Sequence, residues 1–375
     1  MNNEDALNQA RNELFSNIVV PSSENPEAKS NASCSEEKRD EFQTLDTYLD
    51  TLFMNDIENF KTFSERKTGF SNIDNDNVRL YPGLYALGGV SGVGKTSFCC
   101  QLADNIAAHG VFVLYFSLEM SKFELVSKAI TRCRFKHTMA FEFNASQLKS
   151  GRVNQNILSE TMNAYKTCAS HEIIIEGGLG LSVSDVIQYV EKFIAHTGHK
   201  PVVFIDYLQA LKPESNKTTR DSIDICVRAL KMLSIEHGLT IFAISSFNRT
   251  NYLNIADFES FKESGNIEYT SDVVLALQLL AMNAQIFDRE TKLQQKRKFV
   301  QMAKNANPRK IELIRLKNRF GKSNARYFFD YYPASECFIP HEVEEEEADE
   351  NIQREFETFE AQSETEKVRA KNNRR

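Results

Sequence analysis

The stretch that decides the fold is LYALGGVSGVGKTSFCC, residues 84–100. Its centre, GVSGVGKT at 89–96, satisfies G-x-x-x-x-G-K-[ST] in full. A short apolar run precedes it and a helical pattern follows, the context in which the motif carries its mechanism. Glycines let the backbone curl so that its N–H groups point inward, beside the positive end of a helix, where phosphate oxygens bind. Gly89, Val90, Ser91, Gly92, Val93, Gly94, Lys95, Thr96 and Ser97 are the expected cradle for a nucleoside triphosphate. Lys95 is expected to reach the β- and γ-phosphates, and Thr96 to offer its hydroxyl to Mg2+.

Outward from this loop the chain alternates. LYALGG, VFVLYFSLEM, EIIIEGG, VVFIDYLQAL and TIFAISSF are short apolar runs, separated by helical segments such as VSDVIQYVEKFIAHTG. Continuous apolar strands between helices predict an α/β fold, a parallel sheet covered on both faces. IELIRLK and ARYFFDYYP read as an antiparallel hairpin around Gly321 at the sheet's edge. Strict alternation along IELIRLKNRFGKS (311–323) puts Arg315, Lys317 and Arg319 on one face, with Glu312 on the other.

A magnesium nucleotide needs a second acid. Asp206 ends the apolar run PVVFID, the Walker-B arrangement, although a lone Asp there also suits a helix cap. Glu119, at the end of VFVLYFSLE, opens on the same sheet edge and is a candidate to orient or deprotonate water. Spacing leaves a second reading for Glu119, as the favourable charge before a helix whose capping box is Ser121–Glu124.

The 375 residues, 41% hydrophobic and 26% charged, describe an ordinary globular composition with room for one large domain. No window approaches a membrane-spanning length of uncharged apolar residues, and the N-terminus shows no secretory signal pattern. Seven cysteines without CxxC spacing argue against a disulfide framework and fit a reducing, cytoplasmic setting. The net charge of −7 is uneven: 1–66 carries −8, 341–375 carries −6, and the middle is +7. Residues 289–326 hold 13 bases against Glu290 and Glu312. Charge alone leaves two readings for this region, a polyanionic partner or a solvated face. The expected organisation is a disordered tail at 1–42, a linker helix at 43–66 with one apolar face, the ATPase domain at 67–340, and an acidic tail at 341–375, disordered or a solvated helix.

These residues in this order resemble the C-terminal motor domain of the DnaB-type replicative helicases, a RecA-like P-loop NTPase fold. The resemblance runs over about 67–335, through KTGFSNID, the P-loop, FSLEM, FIDYLQ, ISSFNR, FKESGNIEYTSDVV and LKNRFG. The texture is similar to DnaB-like motors of phages and mobile elements. The resemblance implies ATP and Mg2+ as cofactors, Glu119 as the base that activates water, and Asp206 and Thr96 at the metal. It implies that Lys317 and Arg319 serve a neighbouring subunit's ATP, Arg319 as an arginine finger, in a hexameric ring on single-stranded DNA. The linker helix would dock on the adjacent subunit, and a loader or other replication proteins are implied partners.

Three departures stand out. Ser246 occupies the place of the family's γ-phosphate-sensing glutamine. The channel loop TNYLNIADFESFK has Lys262 against Asp257 and Glu259, where relatives are basic. About 66 residues precede the motor domain, too few for the family's helical collar, so primase coupling is not implied. The basic stretch 289–310 matches nothing in the family. Two function classes follow: a helicase motor, or a RecA-like ATPase that remodels or loads proteins without unwinding DNA.

Overall fold

A computed structural model of the chain describes residues 44–177, 180–212, 219–248, 253–261, 265–284 and 291–372. The expected disordered tail at 1–42 lies outside the described residues. The chain divides at Asn55/Asp56 into two units. In the first, the helix Leu45–Thr51 is capped by Thr44, whose hydroxyl accepts from Thr47 N at 3.3 Å. A second helix, Phe53–Ser64, begins here and runs into the larger unit, so the single linker helix read from sequence is two segments. Leu45, Leu49, Phe53 and Met54 leave their side chains exposed.

The larger unit is built on one nine-stranded sheet, in the order β3-β2-β4-β5-β1-β6-β7-β8-β9. Six strands pair in parallel: β1 (Gly83–Gly89), β2 (Val113–Ser117), β3 (Glu172–Glu176), β4 (Val202–Asp206), β5 (Thr240–Ser246) and β6 (Val273–Leu279). Strands β7 (Arg309–Asn318), β8 (Ala325–Tyr332) and β9 (Cys337–His341) continue it antiparallel. Strands β1, β2, β4 and β6 are buried along their whole length, which explains their continuous apolar runs. The sheet's edge is β9, a strand the hairpin reading did not include.

The register fixes the working edge. Gly89 lies opposite Ser246, and Ser117 opposite Asp206, so the C-terminal ends of β1, β5, β2 and β4 are level. The segment 67–74 ties the fold's entrance to the P-loop helix Lys95–Ala108. Asp74 accepts from Thr68 N (2.8 Å) and Gly69 N (2.9 Å), and this turn buries Phe70, stacked on Phe98 of that helix at 5.0 Å.

Two features depart from the sequence reading. Arg315 does not protect an edge: β7 is interior, and Arg315 is 3% exposed, paired with Asp76 at 3.1 Å beside the Tyr327 ring. The β6–β7 ladder has Val274 opposite Lys317 and Leu275 opposite Arg315, which leaves Leu316 as an extra residue. That bulge breaks the alternation from which one shared face was inferred.

Residues 345–372 are a helix, neither disordered nor wholly solvated. Ala348, Ile352 and Phe356, at helical spacing, bury one face, and Phe356 packs on Phe299 of the helix Thr291–Asn305 at 5.2 Å. Arg326 fastens its first turns, bonding buried Glu312 and Asp349, each at 2.7 Å. Phe356→Ala is expected to cost about 3–5 kcal/mol in chemical denaturation. A loss below about 1 kcal/mol would show that the helix is not part of the cooperative core.

Candidate nucleotide site

The loop after β1 turns through two left-handed residues, Gly92 (φ 77°) and Gly94 (φ 111°). A Cβ at Gly94 would stand 2.9 Å from Phe338, so both backbone conformation and space exclude a side chain there. Phe98 N donates to Gly94 O at 2.8 Å, which starts the helix directly from the loop. Val93 turns its side chain into the core, and Gly89 packs against the Leu277 carbonyl. The loop thus commits its backbone, not its side chains, to the concave side.

That side opens on a cavity of about 370 Å3. Ser91, Gly92, Gly94, Lys95, Thr96 and Ser97 line it together with Glu119, Asp206 and Ser246. Lys95 Nζ donates to Gly89 O (2.8 Å) and Val90 O (3.2 Å). Burial lowers its pKa, opposed by the charges of Asp206 and Glu119. Asp206, at the end of β4, is 6% exposed and accepts from the Tyr115 hydroxyl at 2.9 Å. Burial raises its pKa, countered by hydrogen bonds from Tyr115 and Thr96 and by the charge of Lys95. A carboxylate held at this cost beside a hydroxyl suits a hard divalent cation. Among the described residues no three His, Cys, Asp or Glu side chains cluster as metal ligands. Thr96 and Asp206 supply two oxygen donors, a set that fits Mg2+ arriving with phosphate and water ligands.

Glu119 stands just past β2, exposed at the cavity wall. The capping box of the helix Lys122–Thr138 is formed by Ser121 and Glu124 (3.2 and 3.3 Å), so capping does not employ Glu119. Sequence reasoning missed the opposite wall, where Lys128 and Tyr331 line the cavity. Glu336 gathers that side: it accepts from Lys128 at 2.7 Å, from Tyr331 at 3.2 Å, and from Ser97 in a short bond. Only contacts between segments far apart in sequence reveal this cluster.

Lys317 and Arg319 lie elsewhere. Arg319 N donates to Asp272 O and Asp272 N to Leu84 O, which sets Arg319 five residues before Gly89 along the sheet, about 16 Å. Lys317 Nζ donates to the Glu268 carbonyl at 2.5 Å. Arg319 pairs with Asp272 at 3.1 Å and its side chain stays 50% exposed. Among the described residues, no arginine lines the cavity. Channel-loop residues 249–252 and 262–264 lie outside the described residues. Between them Asp257 accepts from Ser260 N at 2.9 Å, and Ile255 is exposed.

A glycine-built phosphate cradle at the C-terminal edge of a mostly parallel sheet, with an acid ending a nearby strand, defines a RecA-like P-loop protein. Residues 66–329 match the family described as DnaB-like helicase C terminal domain. The chain belongs to that family. It is 27% identical over 200 residues to a probable replicative DNA helicase of Trieres chinensis, covering 52% of this chain and 42% of that protein. It is 24% identical over 254 residues to the replicative DNA helicase DnaB of Helicobacter pylori (strain ATCC 700392 / 26695), covering 66% and 50%. The chain thus spans half or less of the length of these relatives. Among solved structures, the ATPase domain of a phage helicase matches with TM-score 0.64 at 22% identity, over 80% of this chain and 100% of that one. A DnaB-like replicative helicase, solved in a study of its interactions with primase, matches at 0.62 and 20% identity, over 81% and 68%. These two establish the fold.

Because burial raises the Asp206 pKa, its ionisation costs folding stability. That cost is absent below the unfolded pKa, grows as pH rises toward the folded pKa, and is constant above it. Asp206→Asn without nucleotide is therefore expected to unfold at higher denaturant than the parent at neutral pH, with the difference shrinking as pH falls toward the ordinary carboxylate range. A variant less stable at neutral pH contradicts this balance.

Proposed function

We propose that this chain is an ATP-driven DNA helicase motor that hydrolyses Mg·ATP between subunits of a ring, six-fold on the family's pattern, and moves on single-stranded DNA. The observation that carries it is the separation of Lys317 and Arg319 from the chain's own P-loop by the length of β1. Cations held there serve no phosphate in their own subunit, while the cavity lacks an arginine. A second copy completes both.

In this reading the loop backbone from Gly89 to Thr96 takes the phosphates, Lys95 leaves the Gly89 and Val90 carbonyls for the β/γ oxygens, and Thr96 and Asp206 hold Mg2+, which neutralises charge on the phosphates. Glu119 accepts a proton from the attacking water, and the Arg319 guanidinium of the neighbour stabilises charge developing on the γ-phosphoryl group. Ser246, shorter than glutamine, contacts the nucleotide through water. The exposed apolar side chains of Leu45, Leu49 and Met54 dock on the adjacent subunit; an apolar groove between Phe123, Ile130, Leu158 and Met162 offers a complementary surface. DNA contact falls to loop backbone N–H groups more than to side-chain cations. The family's setting in DNA replication places the chain in the cytoplasm, with a loader or other replication proteins as partners.

The weakly basic channel loop favours a second reading, an ATPase that remodels or loads other proteins. Single-stranded DNA should stimulate hydrolysis, and the chain should displace a strand from a forked duplex. Hydrolysis indifferent to DNA, without displacement, sinks the helicase reading.

For the trans site, Arg319→Ala is expected to reduce hydrolysis about 10³-fold while nucleotide still binds. Mixing Arg319→Ala with Lys95→Ala subunits should restore part of the activity, since one interface then holds an intact P-loop and an intact arginine. No recovery on mixing, or loss of binding in Arg319→Ala, rejects the trans assignment.

A further inference from the structure

The basic stretch 289–310 has no role in the family's pattern, yet the structure brings two of its cations to the P-loop. Residues 291–305 form a helix, and β7 starts at Arg309. Most of the helix's charge is bland: Arg297 and Lys298 face solvent, and Lys296 is buried on the Met282 carbonyl at 2.9 Å. Lys304, in the last turn, is different. Its Nζ donates to Ser91 O at 3.3 Å and lies 3.4 Å from where a Gly92 Cβ would stand. Arg309 Nη1 donates to Gly92 O at 3.0 Å, with its guanidinium 5.7 Å from the ring of Tyr331, a wall of the nucleotide cavity. Arg309 Nε is buried without a hydrogen-bond partner, so the group is placed for the loop at the cost of one unmet donor.

The carbonyls of Ser91 and Gly92 share peptide units with the N–H groups of Gly92 and Val93. A bond to a peptide oxygen polarises the N–H of the same unit, and chains of such bonds strengthen one another. A cation on the carbonyl side therefore makes the inward N–H a stronger phosphate donor and adds positive potential behind the loop. A lysine in a helix's last turn is favoured by the helix dipole wherever it points. That effect does not explain why Lys304 and Arg309 take adjacent carbonyls of one loop.

We propose that Lys304 and Arg309 are positioning residues of the nucleotide site, a cationic brace that holds the P-loop by its outward carbonyls and raises its affinity for the polyphosphate of Mg·ATP. The brace acts within one subunit, unlike Lys317 and Arg319. It rests on the reading of the loop as an ATP site.

Equilibrium binding of a fluorescent, Mg2+-loaded, non-hydrolysable ATP analogue to the full chain tests it, at low and at high salt. Lys304→Gln with Arg309→Gln should weaken binding roughly tenfold at low salt, and much less at high salt, because screened charges contribute less. Affinity in the variant should also fall less steeply with salt than in the parent. The charge-preserving pair Lys304→Arg with Arg309→Lys should keep most of the affinity. Equal binding by parent and glutamine variant at both salts overturns the brace. So does a loss that is independent of salt or shared by the charge-preserving pair, since packing alone would then account for it. If the double glutamine variant does not fold, Lys304→Gln alone, at a partly exposed helix end, carries the same salt test. A parent chain that binds no Mg·ATP analogue overturns the nucleotide site itself, which is a separate outcome.

Discussion

The bond from the Tyr115 hydroxyl to the Asp206 carboxylate, 2.9 Å long and closed off from water, joins the fold to its chemistry. Tyr115 is the middle residue of β2 and Asp206 the last of β4, strands paired in parallel with Ser117 opposite Asp206. A carboxyl group in so buried a place requires hydrogen-bonded or charged company. Tyr115, Thr96 and Lys95 provide it, from elements whose positions the parallel register fixes. Loss of that register by one residue would turn Asp206 to the sheet's other face. The continuous apolar strands serve this end, because sheet layers buried on both faces leave no freedom to slip.

Much of this was legible in the sequence because it is local. The glycine pattern at 89–96 states a backbone conformation, and Asp206 and Glu119 are marked by the apolar runs they end. The parallel sheet follows from alternation of those runs with helices, and the structure has it. What escaped notice depends on contacts distant in sequence. Glu336 meets Lys128 and Ser97 from the far end of the chain, and nothing around Glu336 distinguishes it from a loop glutamate. Strand β9, CFIPH, is short and holds a proline, so it offers too little pattern to claim.

Two readings failed for instructive reasons. The period-2 argument for Arg315 assumed an unbroken ladder, and one extra residue at Leu316 defeated it. The C-terminal segment is so acidic that composition overshadowed Ala348, Ile352, Phe356 and Phe359, which are spaced at helical intervals. Four apolar positions on one face suffice to bury a helix when a surface such as Phe299 waits for them. Composition ranks segments by average, whereas packing responds to the placement of a few side chains.

Asp272 also has a consequence for assembly. Its carboxylate holds Arg319 and Lys231 and accepts from Leu84 N at 2.8 Å, near the start of β1. The same strand, seven residues long, ends in the P-loop. In a ring of such subunits each guanidinium would be shared between two carriers of negative charge, its own Asp272 and the nucleotide next door. When the phosphate departs, the arginine has a carboxylate to return to, and that return touches the first rung of the strand that supports the next phosphate site. A stiff rod with a reversible latch at one end and a catalytic loop at the other is a means of passing occupancy around a circle.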